Sequence, residues 1–305
     1  MTSLPLWVEL SEEVADALAD GKPVVALESS VWAQGLPRPI NYEVALEMGA
    51  QVRRGGAVPA VVWLDQGRMR FGFDQTQLQE LCGRRDLLKV GVGDLPGVLA
   101  KKSSGATTVS ATLCAAEHAA IGVMATGGVG GIHLNWNQRP DYSADLGQLA
   151  RTRCLTVCSG VKSVLDIPAT VEMLETLGIP VAMYATDAFP QFYTEGRKIH
   201  IGFRVDSPKE AARAQQLSLQ ALGRGVMVTQ PVPHEFAIPI KQVDQWLKEG
   251  LARAEAEGQT GKILTPFLLD YLARASGGRT LEANRALLLQ NAFLAAQIAV
   301  ALGDD

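Results

Sequence analysis

The sequence predicts an α/β protein: a three-layer α/β/α single domain over residues 1–305, with a mostly parallel central sheet. Three observations predict it. Short apolar runs such as Val24-Val25-Ala26-Leu27 and Leu155-Thr156-Val157-Cys158 are continuous, as strands buried on both faces require. Longer segments with helical periodicity separate them. No repeat, low-complexity tract or linker interrupts the alternation.

The elements follow in order. A helix fits Ser11–Asp20, with Glu12 and Glu13 in its first turn, where the helix dipole favours acids, and Gly21 as its stop. The strand Val24–Leu27 ends at Glu28. A helix over Tyr42–Arg54 closes at Gly55-Gly56. Ala60–Leu64 is a strand, and a turn over Asp65–Arg68 leads to a short one at Met69–Phe73. Lys89–Val92 reads as another strand, Thr107–Ala120 as a helix of small residues, and Gly122–Ala125 and Leu155–Cys158 as strands. Asp166 caps a helix to Leu177, with Pro168 tolerated in its first turn. Pro180–Tyr184 is a strand, Ser207 to Glu210 is a capping box opening a helix to Leu222, and Val226–Val228 is a strand. Helices over Lys241–Glu257, Pro266–Ala275 and Leu281–Ala301 complete the chain. The least regular stretch, Phe189–Asp206, reads as a mobile flap or subunit contact.

With 305 residues, 47% hydrophobic and 20% charged, the chain can bury a sizeable core. A net charge of −4 argues against a broad nucleic-acid or anionic-membrane face, though a few lysines can still hold one phosphate. The first residues carry acids and no basic leader before an apolar stretch, so no signal peptide is expected, and no uninterrupted apolar run reaches transmembrane length. Cys82, Cys114, Cys154 and Cys158 lie scattered in apolar surroundings, as reduced core thiols of a cytoplasmic protein would. No CxxC or HExxH spacing occurs, and the four histidines form no zinc pattern.

Six features have the wrong composition for structure alone. Lys162 stands in the small loop Ser159–Asp166, just past a buried strand, at the sheet edge where α/β proteins bind ligands. A lysine desolvated there can act as an amine nucleophile. By position alone the preferred reading is a packed stem with its ammonium in water. Glu28 ends another apolar strand, where burial would suit its carboxyl to proton transfer, or it is a surface glutamate before a loop. Ser103–Ser110 is a hydroxyl-rich turn entering a helix, an ordinary N-cap or a phosphate cradle. Ala125–Gly131 holds four glycines past a strand, which let backbone approach a ligand, but no fitting helix follows and a nicotinamide site is rejected. Asp141 and Asp145 share a face if their segment is helical, and such hard oxygen ligands suit a divalent cation held largely through waters. Asn284 and Asn291 interrupt the apolar stripe of the last helix, and a buried amide must find a partner, in backbone or in a ligand such as a pyrimidine.

In this order the segments resemble the pseudouridine-5′-phosphate glycosidase family, from about Ser11 to Ala301. The most specific pieces are Val25–Ser29, Gly105–Thr112, Ala125–His133, Ser143–Leu146 and Lys162–Asp166. Asp187–Pro190, Pro231–Pro233, Thr265–Leu269 and Leu281–Asn284 add to them. The resemblance implies cleavage of the C–C glycosidic bond of pseudouridine 5′-phosphate to uracil and ribose 5-phosphate, a divalent cation, usually Mn2+, and a homotrimer. It makes Lys162 the covalent nucleophile, Glu28 the proton donor and Asp141 the metal residue. Lys89, Val109, Ser143, Ala144 and Asp145 become substrate contacts, and Asn284 the uracil reader, with Thr126 and His133 nearby. Departures from the family stand at Gln34, where histidine is expected, at Leu134, where a basic residue is usual, and over Arg197–Arg204. The alternative is a class I aldolase-like Schiff-base lyase on another phosphosugar, which Lys162 and the phosphate contacts would serve equally. A non-catalytic sugar-phosphate binder is a third reading, motivated by the departures.

Overall fold

The computed structural model describes residues 4–259 and 264–303. Its centre is an eleven-stranded sheet. The strands β1 (Val8–Leu10), β2 (Val24–Glu28), β3 (Val58–Asp65) and β4 (Arg68–Phe71) build one end, in the order β1-β4-β3-β2. The sheet continues through β7 (Val123–Ala125), β8 (Leu155–Cys158), β13 (Met227–Thr229), β9 (Val181–Tyr184) and β12 (Phe203–Val205). Short strands β5 (Leu88–Val90) and β6 (Gly105–Thr107) attach through β3. All pairings are parallel except β3 with β4 and β3 with β6. Every residue of β2, β7, β8 and β13 is buried, which is why their sequences read as continuous apolar runs.

The expected turn at 65–68 is a two-residue hairpin: Asp65 pairs with Arg68, and Gln66 and Gly67 both take positive φ. A Cβ at Gly67 would lie 2.8 Å from the Lys102 backbone, so glycine is required twice over.

Helices α2 (Ile40–Arg54), α8 (Pro208–Leu222) and α11 (Arg279–Gly303) form one layer, with α11 along β2, β7 and β8. α5 (Val109–His118) and α6 (Ala144–Leu149) pack together, with α5 on β2 and β3. By length and composition α11 would suffice to cross a membrane, which qualifies the expectation that no segment reaches that length. Here it is a core helix, with thirteen residues buried, among them Leu287, Leu288, Leu294 and Ile298.

The structure adds elements that the sequence reading lacked. α3 (Gln75–Gly83) is opened by a reciprocal capping box between Asp74 and Gln77, and α4 (Leu95–Ala100) is a single short helix. Gly105–Thr107, read as part of a turn, is a strand, because Gly105 lies so close to β5 that a Cβ would sit 2.9 Å from the Leu88 carbonyl. The irregular stretch 189–206 contains the hairpin β10 (Phe189–Gln191) and β11 (Thr194–Arg197), then edge strand β12. Phe189, Phe192 and Tyr193 are buried, so this hairpin is a packed buttress. Among the capped helices, Ser207 receives the Glu210 amide, while the Glu210 carboxylate takes the Asp206 amide in place of its own cap residue. All four cysteines are free, and burial pushes the Cys82 and Cys158 thiols up to about 12, so both are inert core groups.

Candidate active site

The chain order along the sheet reverses between β2 and β7: β3 lies on one side of β2, and β7 with β8 on the other. Loops leaving neighbouring strands at such a point diverge and open a crevice at their carboxyl ends. Glu28 is the last residue of β2, Thr126 directly follows β7, and Lys162 lies in the loop after β8. One topological feature therefore brings these three residues together across more than a hundred residues of chain.

Glu28 is 4% exposed. Its carboxyl accepts hydrogen bonds from the Thr126 hydroxyl and, at 2.8 Å, from the Ser30 hydroxyl. Burial raises its pKa; the nearby Lys162 charge and the two hydroxyls oppose that shift without cancelling it. Lys162 makes no ion pair within 4 Å to a described residue, although its charge reaches Glu28 and His133. The loop that carries it is fixed by three hydrogen bonds, from the glycine loop on one side and the β10–β11 hairpin on the other. Lys162 donates its backbone N–H to the Val129 carbonyl at 3.2 Å, and the Phe192 amide donates to the Ser159 carbonyl at 2.9 Å. The Ser163 hydroxyl donates to the Gln191 carbonyl at 2.7 Å.

Two connected chambers meet at Lys162. Ser30, Lys89, Lys162 and Thr265 line both. The outer chamber, about 390 Å³, is lined by Ser110, His133, Asp141, Ser143, Ala144 and Asp145, among others. The inner one, about 60 Å³, is a narrow slot holding Glu28, Gln34, Thr126, Phe192 and Asn284, floored by Gly127 and Gly128. Glycine is needed at 128 because a Cβ would lie 2.6 Å from the Phe192 ring.

At the outer end, Asp145 is 5% exposed and acts as a clamp. One carboxylate oxygen accepts from the Ser110 amide and the other from the Gly130 amide, both at 2.9 Å. This ties the start of α5, the glycine loop and α6 into one rim; bonds of this type contribute about 1.5–3 kcal/mol each. Asp141 does not share a helix face with it. Residues 132 and 142 pair as an antiparallel bridge, so Asp141 stands in an extended stretch ahead of α6, and Ser143 is the N-cap. The Asp141 carboxylate reaches the cleft 4.0 Å from His133 Nδ1. Burial lowers the His133 pKa, as do the Lys89 and Lys162 charges, while Asp141 opposes them; at neutral pH the imidazole is uncharged. Val109 does not line the cleft: its side chain is fully buried in the core, and its neighbours Thr108 and Ser110 face the chamber. Any contact from Val109 falls to its backbone N–H, in the first turn of α5, where amides lack helical partners.

The two amides of α11 separate cleanly. Asn291 is saturated: its Nδ2 donates to the Thr126 carbonyl at 2.8 Å and to Ser159 Oγ at 3.1 Å, and its Oδ1 accepts from Gln230 at 2.9 Å. Asn284 lines the inner slot, and its buried Oδ1 has no partner. Sequence reasoning missed Thr265 and Phe192 as lining residues. Thr265 stands beside Pro266 in a segment already noticed, but nothing local says that the start of α10 (Leu264–Ala275) crosses to the cleft.

The geometry defines a class of protein: an α/β fold holding a buried carboxyl and an amine over a cleft with a wide outer end and a slot-like inner end. Comparisons refine that class. Residues 13–301 match the family described as indigoidine synthase A like protein. Curated relatives named pseudouridine-5′-phosphate glycosidase include one from Herpetosiphon aurantiacus, 45% identical over 96% of this chain and 97% of its own. Another, from Streptomyces griseus subsp. griseus, is 47% identical over 97% and 92%. Among solved structures, the prealnumycin C-glycosynthase AlnA in complex with ribulose 5-phosphate superposes with a TM-score of 0.91 at 36% identity, covering 98% of both chains. An indigoidine synthase A like protein from Thermotoga maritima gives 0.86 at 36%, covering 97% and 96%. The chain belongs to the pseudouridine-5′-phosphate glycosidase family.

Proposed function

We propose that this protein is a C-glycosidase that reversibly cleaves pseudouridine 5′-phosphate to uracil and ribose 5-phosphate through a Schiff base on Lys162. One observation carries the reading. Lys162 stands where the two chambers join, with Glu28 and the unpartnered Asn284 on one side and the Asp145-clamped rim on the other. A ribose C1′ at that junction has its phosphate outward and its base inward. The relatives' names and the ribulose 5-phosphate held by the AlnA neighbour support a phosphosugar at the outer end.

The chemistry follows from the leaving atom. Ordinary glycosidases release oxygen or nitrogen with two carboxyls. Here uracil leaves from carbon with the bonding pair, so C1′ must carry a group that donates electrons into the deficiency left behind. The Lys162 amine adds to C1′ while the C1′–O4′ bond breaks, and Glu28, whose proton affinity burial raises, delivers its proton to O4′. The proton that the attached nitrogen sheds passes to the C5 ring carbon of uracil as the C1′–C5 bond breaks; the bond's electron pair stays with uracil, and the freed nitrogen lone pair forms the imine. Water then hydrolyses the imine to ribose 5-phosphate and the free amine. Lys89, Ser143 and Ala144 hold the phosphate end, with the amides at the start of α5 and α6.

The donor set also fits a divalent cation such as Mn2+ held chiefly by water and substrate. Asp141 is half-exposed at the cleft, and no group of three His, Cys, Asp or Glu among the described residues could enclose an ion. Asp141 would hold it, and the ion would supply fixed positive charge beside the substrate. The trimer and the cytoplasmic setting are carried by the family resemblance, the latter also by the four free thiols.

The test is direct. Pseudouridine 5′-phosphate with Mn2+ should yield uracil, and borohydride reduction in the presence of ribose 5-phosphate should add the sugar's mass to Lys162. Undiminished uracil release by Lys162→Ala, or an adduct on another lysine, would overturn the mechanism.

A further inference from the structure

We infer that Gln34 is a specificity residue that reads a second ring N–H of the base, so that the inner slot accepts uracil presented through carbon and rejects pyrimidines lacking either N–H. The inference rests on the proposed C-glycosidase function. Gln34 closes the helical turn Val31–Gly35 after β2 and lines the inner slot with Glu28 and Asn284. Its orientation is fixed by chemistry. The amide Nε2 donates to the Leu87 carbonyl at 3.2 Å; a carbonyl can only accept, so the amide nitrogen must face it and Oε1 must face away. That Oε1 is buried and has no hydrogen-bond partner, as is Oδ1 of Asn284 in the same slot. An orphaned buried acceptor costs about as much as a lost hydrogen bond, and two in one narrow chamber call for a ligand with two donors. Uracil joined to ribose through C5 keeps both ring N–H groups. Uracil joined through N1 has only one, and would leave one carbonyl unpaired. Sites built to satisfy a donor reject analogues lacking it far more strongly than apolar pockets reject a changed shape. Gln34 is also the position at which this chain departs from the histidine expected of its family, and its link to Leu87 joins the slot to the strand bearing Lys89.

The experiment measures uracil or methyluracil release from pseudouridine 5′-phosphate and from its 1-methyl and 3-methyl derivatives, with Mn2+, by the wild type, Gln34→Ala and the near-isosteric Gln34→Met. The wild type should reject both methylated substrates. Each Gln34 variant should lose about tenfold or more in kcat/KM on the parent, the range set by one unpaired buried group, and should accept one methylated substrate nearly as well as the parent while still rejecting the other. Thermal melting identifies a variant that fails to fold. Calorimetry of the wild type with uracil, 1-methyluracil and 3-methyluracil then provides a test free of mutation: binding of either methyluracil within twofold of uracil overturns the inference. Gln34 variants within twofold of the wild type on the parent, or still rejecting both derivatives, also overturn it. Absence of uracil release from the parent by the wild type is a different failure; it sinks the glycosidase reading, and this inference with it, before any variant is compared.

Discussion

Asn284 and Asn291 lie seven residues apart on one face of α11, both almost wholly buried, and only Asn291 has its amide oxygen paired. Asn291 knots the carbonyl of Thr126 to Ser159 and Gln230, holding together the loops that follow β7, β8 and β13. Asn291→Leu should therefore strand three buried groups and cost about 3 kcal/mol or more, at about 1–3 per orphaned group. Asn284→Leu removes an acceptor that the fold does not use. Denaturant unfolding should find it no less stable than the wild type, while KM for the C-nucleotide rises at least tenfold. A stability loss at Asn284 equal to that at Asn291 would assign both to the scaffold.

Glu28 should leave a signature in both activity and stability. Its folded pKa lies above its ordinary value of 4.5 because burial disfavours the charge. The sign for stability follows: the favourable contribution is fully present below pH 4.5 and is lost as pH rises through the raised folded pKa. Glu28→Gln cannot ionise, so its melting temperature should fall less than the wild type's between pH 4 and pH 8. As the proton donor, Glu28 should be needed in its protonated form. Glu28→Gln should then lower kcat by about 10²- to 10⁴-fold and erase an alkaline limb of the kcat/KM profile. An alkaline limb that survives the substitution would place the acid elsewhere.

Asp141 offers a test of the cation independent of turnover. Mn2+ is paramagnetic and broadens nearby proton resonances. Since His133 Nδ1 lies 4.0 Å from the Asp141 carboxylate, the His133 ring signals should broaden at substoichiometric Mn2+ in the wild type and stay sharp in Asp141→Asn. Equal broadening in both proteins would move the ion to other ligands.

These residues were unequally legible in the chain. The boundaries of β8 and the position of Glu28 at the end of β2 follow from continuous apolar runs, a local signal. That Lys162 meets Glu28 follows from strand order, which a sequence gives only through a family pattern. The Asp145 clamp was invisible because its partners are backbone amides of Ser110 and Gly130, supplied by distant loops, so no side-chain motif marks them. The two asparagines read alike along the helix stripe, and only the groups opposite them tell scaffold from site. α3 escaped notice for a different reason: its few buried residues, Leu78, Leu81 and Cys82, sit among polar ones, and the Asp74 to Gln77 box was its one clear signal.

The loop that presents Lys162 depends on a residue with no side chain. Gly160 has φ of +75°, and a Cβ there would lie 2.0 Å from the Pro190 carbonyl oxygen on β10. Its own carbonyl accepts from the Val129 amide at 3.0 Å, so the same residue meets the hairpin on one side and the glycine loop on the other. Gly160→Ala cannot be accommodated by a rotamer change, because the obstacle is backbone. Strained φ alone costs about 1–3 kcal/mol, and relieving the clash must shift Ser159–Ser163 away from the hairpin, Lys162 with it. The expected result is a folded protein with a lower melting temperature and a kcat at least 10²-fold below wild type, the loss that follows from misplacing a reacting group by about 1 Å. Ser163→Ala, which removes the hydroxyl's bond to the Gln191 carbonyl and the one it accepts from the Tyr193 amide, should show a milder form of the same phenotype. If Gly160→Ala retained wild-type kcat, the hairpin contact would have no part in holding Lys162.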